Sequence, residues 1–318
     1  MPGKVVLLGG GGFVGSCIAS RLSGRGFDIT VPTRRRDSRK ELAMLPGVRL
    51  VAANIHDPLD LEDLFSGADA VINLVGILHD SDSSQPYGRR FAAAHVELPR
   101  KIVAAMRATG VPRLLHMSAL KAAIDAPSAY LRSKAAGEAV VLGAGDGIDV
   151  TVFRPSVIFG PDDVFLNTFA SLLKAFPVLP IAGGKTRFQP VYVGDVAEAF
   201  VRALSDRSTI GKTYELCGPA VFTLKELVEY TGRLIGHPRP VIDLPGPLAK
   251  LQACLLGLLP NPPMSPDNLR SLQVDSVTDG KLDFPGWQPQ SLAAVAPTYL
   301  THISARSRLD ELRRRTSR

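Results

Sequence analysis

Short runs of β-branched and aliphatic residues alternate, along the first half of the chain, with longer segments whose apolar residues recur at helical spacing. That is the pattern of a parallel sheet covered by helices on both faces. It predicts strands at Val5–Leu8, Ile29–Thr33, Leu50–Ala53, Ala70–Val75, Arg113–Ser118 and Val150–Phe153. One helix opens near Gly12, turns Val14, Ile18 and Leu22 inward and stops at Gly24 or Gly26; others cover Asp60–Phe65, Arg89–Thr109 and Ser128–Leu142. The expected fold class is α/β: a Rossmann-type doubly wound parallel sheet with a smaller C-terminal α/β domain for substrate or partner.

After Pro155 the rhythm loosens and Pro and Gly become frequent. Residues 1–155 are therefore expected as the sheet domain and 156–300 as the smaller domain, with a strand and helix from around 187–206 returning to the sheet. Residues 301–318 read as a basic tail. Helices are expected at Asp195–Leu204 and Leu224–Ile235, the latter N-capped by Thr223 with Glu226 three residues on. Between Pro245 and Pro263, the residues Leu248, Leu251, Cys254, Leu255 and Leu258 could line one face of a short helix. The preferred expectation is that this stripe covers the smaller domain's own pocket. The alternative is a contact with a partner or a membrane surface through 245–263. No apolar run reaches the roughly 20 residues that cross a bilayer.

At 318 residues the chain is long enough for two structural parts, since cores stop growing near about 250–300 residues. The net charge is +7, with much of the excess in Arg34–Lys40 and Arg306–Arg318, so a general nucleic-acid surface is not expected. Cys17, Cys217 and Cys254 lie far apart, which argues against a disulfide framework and a zinc site. His56, His79, His95 and His116 show no metal-ligand spacing either. The N-terminus carries no signal-peptide pattern, and the expected location is cytoplasmic, with peripheral attachment to the inner face of a membrane left open.

Gly9-Gly10-Gly11-Gly12-Phe13-Val14-Gly15 falls between a strand and a helix. Glycines there permit a tight turn and close backbone approach to a pyrophosphate, which the helix N-terminus then faces. The run fits both G-x-x-G-x-x-G and G-x-G-x-x-G, so the glycines alone do not choose a family. The second strand ends in Thr33-Arg34-Arg35-Arg36 rather than in a carboxylate. Arginine forks at that point suit a 2′-phosphate, which makes NADP(H) the expected cofactor and leaves NAD(H) open through Asp37.

Tyr130 and Lys134 are four residues apart, on one face of a predicted helix. A nearby cation can depress the phenol pKa by about 1–3 units, and Lys134 could also hold the nicotinamide ribose. Following the fifth strand of a glycine-marked sheet, with Ser118 twelve residues upstream, this pair resembles the extended or atypical short-chain dehydrogenase/reductase superfamily, of epimerase/dehydratase type. The resemblance implies Tyr130 as acid/base, Lys134 as its partner and Ser118 as the hydroxyl that orients substrate. It also implies that Asn54-Ile55, with Asp57, contacts adenine. Val75 and Gly76 would end the strand beneath the cofactor, and Pro155 and Val157 would lie in the loop that meets the carboxamide.

More narrowly, Val31-Pro32-Thr33-Arg34-Arg35, His116–Leu120 and Arg187–Val193 resemble bacterial relatives of the nucleotide-binding accessory subunit of respiratory complex I. That implies tightly held NADPH without turnover. Where active relatives carry two or three Ser or Thr residues, this chain has Ser118 followed by Ala119 and Leu120, so the hydroxyl position falls either on Ser118 or on Ala119. Three readings stand: an oxidoreductase or epimerase acting on an unknown small molecule, a structural or redox-sensing subunit of a complex I-like assembly, and, last in order, a membrane-surface protein. The expected oligomeric state is monomer or homodimer. Substrate contacts are expected from the loops His79–Tyr87, Asp162–Asn167 and Gly183–Gln189. His95 lies where relatives of this kind often carry an Asn near the cofactor, and is otherwise a packing residue.

Overall fold

The computed structural model describes residues 3–34, 40–82, 84–256, 264–280 and 283–301. Its centre is a parallel sheet of seven strands: β1 (Lys4–Leu8), β2 (Asp28–Thr33), β3 (Val48–Ala52), β4 (Ala70–Asn73), β5 (Arg113–Met117), β6 (Asp149–Pro155) and β7 (Lys212–Leu216). They run in the order β7-β6-β5-β4-β1-β2-β3. Strand order reverses between β1 and β4, which opens a crevice at the carboxyl ends of these strands, where doubly wound sheets take ligands.

Side-chain alternation along β1 divides the core. Val5 and Leu7 enter one apolar cluster with Ile18 and Leu22 of helix α1 (Phe13–Ser23) and with Phe200. Val6 and Leu8 enter another with Leu61 of α2 (Pro58–Phe65) and with Ile102 and Met106 of α3 (Leu98–Thr109). A strand buried on both faces must be apolar throughout, which is why the first strand reads as an unbroken aliphatic run. Local signals set the helix starts: Asp57 accepts the Leu59 N–H ahead of α2, and Ser128 accepts the Leu131 N–H ahead of α4 (Ala129–Leu142). Such caps contribute about 1 kcal/mol each. The helix expected over Arg89–Thr109 contains a π-helical segment, Ala92–Glu97, just before α3.

The sheet layer is discontinuous in sequence. Helix α5 (Val193–Ser205) packs beside α1. The strand expected from around 187–206 is not there: Arg187–Phe188 and Val191–Tyr192 pair in small ribbons with Phe222–Thr223 and Ile158–Phe159. The strand that joins the sheet is β7, whose Tyr214 packs on Phe153 and Phe284. The remaining layer holds helices Phe165–Ala175 and Leu224–Leu234, the latter opened by the expected capping box of Thr223 and Glu226. It also holds a parallel ribbon of Leu179–Ile181 with Val241–Asp243.

The leucine stripe near residue 250 overturns its preferred expectation. In helix Gly246–Leu256 the buried residues are Ala249 and Ala253, whereas Leu248, Leu251 and Leu255 are 52%, 55% and 60% exposed and Cys254 is exposed. The helix packs against Pro266–Ser271, and side chains of alanine size suit so close an approach. Leu258, Arg35 and the tail from 302 onward lie outside the described residues.

Candidate functional site

The carboxyl end of β1 turns at Gly9, whose φ of +80° suits glycine, and the Gly12 N–H donates to its carbonyl at 3.0 Å. A Cβ on Gly15 would overlap the Gly9 oxygen and come within 2.6 Å of the Gly10 Cα. Only glycine lets α1 begin this close to the loop. Gly12, at the N-cap, brings no side chain to satisfy the first helical N–H groups, so those of Phe13 and Val14 lie at an uncapped positive end suited to an anion. A Cβ on Gly160 would be 3.2 Å from the Phe13 ring, which brings the loop after β6 against the glycine turn.

Arg34 is exposed directly after β2, and Thr33 pairs with Ala52 of β3. Beyond β3, Asn54 accepts the His56 N–H at 3.1 Å, and its own N–H donates to Asp60 at 2.6 Å, while Ile55 is half-buried. Burial, then the charges of Lys101 and Arg34, push the His56 imidazole below its ordinary pKa. The Lys101 ammonium donates to the His56 carbonyl at 2.7 Å, so two cations meet at this end of the crevice. Lys101 has no counterpart in the sequence reading.

At the other end, Asn73 of β4 accepts the Val75 N–H and faces His116 Nδ1 at 3.1 Å. Because the amide oxygen is occupied as acceptor, its NH2 donates and His116 Nδ1 is unprotonated. A Cβ on Gly76 would be 3.5 Å from His95 Nε2 and 3.6 Å from Lys134 Nζ. His95 Nε2 accepts the Ile77 N–H at 3.0 Å, which assigns the ring proton to Nδ1, 2.8 Å from Ser133 Oγ. Ser133 in turn donates to the Tyr130 carbonyl at 2.8 Å. Burial, then the neighbouring Lys134, pushes His95 down to about 2, so it stays neutral. His95 and Ser133 thus tie the loop after β4 to the Tyr130 helix. The sequence offers His95 as a packing residue or as a neighbour of the cofactor; its link to Ser133 carries no spacing signal.

Lys134 is buried and donates to the Met117 carbonyl at 2.7 Å; burial lowers its pKa to about 8 against the opposing pull of Glu138. Ser118 is also buried, and its hydroxyl has no hydrogen-bond partner among the described residues. The Tyr130 ring stands edge-on to His95 and Phe91, with centroids 5.7 Å and 6.1 Å away. The depression of the phenol expected from Lys134 is not found: burial pushes Tyr130 up to about 12, while the Lys134 ammonium is engaged by a carbonyl instead.

Asp267 grips the start of α4, accepting the Ala129 and Tyr130 N–H groups at 2.8 Å and 2.9 Å. The sequence gives no hint of this contact, made across 137 residues. Pro155 and Val157 line the backbone beneath, their carbonyls accepting the Leu120 and Val191 N–H groups. Beyond Ser118, loop 121–127 lines a cleft of about 640 Å3 with Arg154, Glu215, Val274 and Asp279. The three loops expected to contact substrate do not contribute to its lining. No group of three metal-ligating side chains occurs among the described residues, and no described helix is long and apolar enough to cross a membrane.

Residues 5–217 match the model of the NAD dependent epimerase/dehydratase family. The chain is 35% identical over 295 residues to NADH dehydrogenase (ubiquinone) 1 alpha subcomplex subunit 9, mitochondrial, of Arabidopsis thaliana, covering 87% of this chain and 72% of that protein. The Mus musculus protein of the same name is 32% identical over 230 residues, 70% of this chain and 59% of its own length. In fold, the chain resembles the dTDP-glucose 4,6-dehydratase DesIV from Streptomyces venezuelae, solved with NAD and TYD bound. The TM-score is 0.73 at 20% identity, covering 93% of this chain and 95% of that one.

Proposed function

The chain belongs to the NAD dependent epimerase/dehydratase family, and from that premise we propose that it binds NADP(H) in the crevice over β1 and β4 and acts as an oxidoreductase or epimerase on a small molecule. The observation that carries this reading is Ser118: its hydroxyl is buried without a partner among the described residues, at the end of the strand whose Met117 carbonyl holds Lys134. A buried hydroxyl left so costs about 1–3 kcal/mol, which a substrate oxygen against it would offset.

The glycine cradle fits a dinucleotide, since Gly15 leaves no room for a Cβ and the N-terminus of α1 is uncapped. In this reading Gly9, Gly12, Phe13, Val14 and Gly15 hold the pyrophosphate, and Arg34 with Arg35 holds the 2′-phosphate. Asn54 and Ile55 flank adenine, and Val75, Gly76, Pro155, Val157 and Lys134 flank the nicotinamide half. The bound nicotinamide supplies a hydride donor or acceptor. Tyr130, pushed up to about 12, keeps its proton at neutral pH and is suited to donate it to a carbonyl oxygen that gains negative charge. Ser118 orients that oxygen, and Lys134 places its charge beside both.

A second reading has its own support: relatives 35% and 32% identical are named as subunits of a respiratory NADH dehydrogenase. There the same crevice would hold NADPH as a structural or redox-sensing group in an accessory subunit, without turnover. Native mass spectrometry of fresh protein, followed by a carbonyl and quinone panel read by nicotinamide absorbance, separates the two. Reversible binding with oxidation supports the enzyme, and lost turnover in Tyr130→Phe supports its acid/base role; co-purified NADPH that stays reduced supports the subunit. Arg34→Ala with Arg35→Ala should weaken NADPH about 10- to 100-fold and NADH little, as expected for lost charged hydrogen bonds. An equal loss for both refutes the phosphate assignment.

A further inference from the structure

Helix Gly246–Leu256 is amphipathic the wrong way round for a helix of a self-contained domain: alanines inside, leucines outside. Leu248, Leu251 and Leu255 fall within about 60° of one another on a wheel of 100° per residue. The Gln252 amide donates to the Pro180 carbonyl at 3.0 Å, tying the helix to the ribbon of Leu179–Ile181 and Val241–Asp243. On and beside that ribbon, Phe176, Val178 and Ile242 are 51%, 40% and 53% exposed. Two short segments thus hold six exposed large apolar side chains. Single exposed apolar residues need no explanation, whereas a concentration of them marks a contact surface.

The charge around this surface selects the occupant. Lys174, Lys250 and Arg239 belong to the same segments, and none forms an ion pair among the described residues. The acidic residue on the ribbon, Asp243, is occupied by the Gly184 N–H at 2.9 Å. An apolar centre with unpaired cations complements a surface that is greasy within and anionic at its face. A bilayer rich in anionic phospholipid has that composition.

We propose that helix Gly246–Leu256 and the adjoining ribbon dock this protein peripherally on anionic membranes. The leucines enter the acyl boundary while Lys174, Lys250 and Arg239 meet phosphate headgroups. This rests on the surface alone and stands whichever way the nucleotide site is used.

The test is flotation of the full chain with phosphatidylcholine vesicles and with vesicles containing half phosphatidylglycerol. Each cation near the surface contributes about fivefold, so binding should favour the anionic vesicles by at least about tenfold and fall when salt screens the charge. Leu248→Ser with Leu251→Ser and Leu255→Ser should abolish flotation, while an unchanged far-ultraviolet circular dichroism spectrum and a cooperative melt of the same variant show that the fold is intact. Lys174→Ala with Lys250→Ala should remove most of the preference for anionic lipid. Absent flotation, equal flotation on both vesicle types, or undiminished flotation of the leucine variant each overturns the proposal. So does a concentration-dependent dimer that the leucine variant abolishes, because a second copy would then cover the face.

Discussion

Replacing Lys134 with Met removes a cation that the fold buries almost completely. Its pKa falls from an ordinary 10.5 to about 8, and at about 1.4 kcal/mol per pH unit the fold spends about 3 kcal/mol holding the charged form. Because the folded value is the lower one, the unfolded chain binds more protons between pH 8 and 10.5, and stability rises with pH through that window. Below pH 8 both states are charged and the whole penalty applies. Met fills similar space, but the Met117 carbonyl loses a donor held at 2.7 Å, which costs about 1–2 kcal/mol. Lys134→Met should therefore be more stable by about 1–2 kcal/mol at pH 7 while losing nucleotide affinity, the trade expected where a strained charge serves a site. Urea unfolding of nucleotide-free protein at pH 7 and pH 9.5 measures this. The wild type should gain toward pH 9.5, and the advantage of the variant should shrink. A variant less stable at pH 7, or a gap equal at both pH values, refutes the account of Lys134 as a buried, penalised cation.

Two further substitutions probe close approaches of backbone. Gly15→Ala puts a Cβ onto the Gly9 carbonyl, and the cradle must open; calorimetric titration should show NADPH affinity reduced by about 100-fold, with ordinary affinity counting against the cradle. Gly137→Ala drives a methyl into the His95 carbonyl, an overpacking that costs about 2–3 kcal/mol and lowers Tm by several degrees. A melt within about 1 °C of the parent would show that the π-helical segment gives way freely.

The sheet was legible because its strands are buried on both faces and the glycine run sits at a strand-to-helix turn, both of which leave period and composition signals. β7 was harder: Lys212-Thr213-Tyr214-Glu215-Leu216 mixes charge with apolar residues at an edge position, and its place is set by the aromatic cluster it completes. Helix Gly246–Leu256 was legible as a stripe, but its sense was not, because a stripe of leucines reads the same facing in or out. The electrostatics of the site depend on depth and on partners distant in sequence. Spacing placed Tyr130 and Lys134 on one face, yet could not foresee that a carbonyl would take the ammonium. The Asp267 grip on α4 and the His95–Ser133 link arise only once the chain is folded.

The π-helical segment at Ala92–Glu97 gives this stretch a particular sensitivity to length. A π turn amounts to one residue more than an α-helix needs, and removing it would let the backbone relax into a regular helix. The same deletion would rotate everything on one side of it by about 100°, so that His95 or Phe91 would leave the ring of Tyr130. A single-codon deletion there would yield a protein that folds more regularly and has lost the wall of its site.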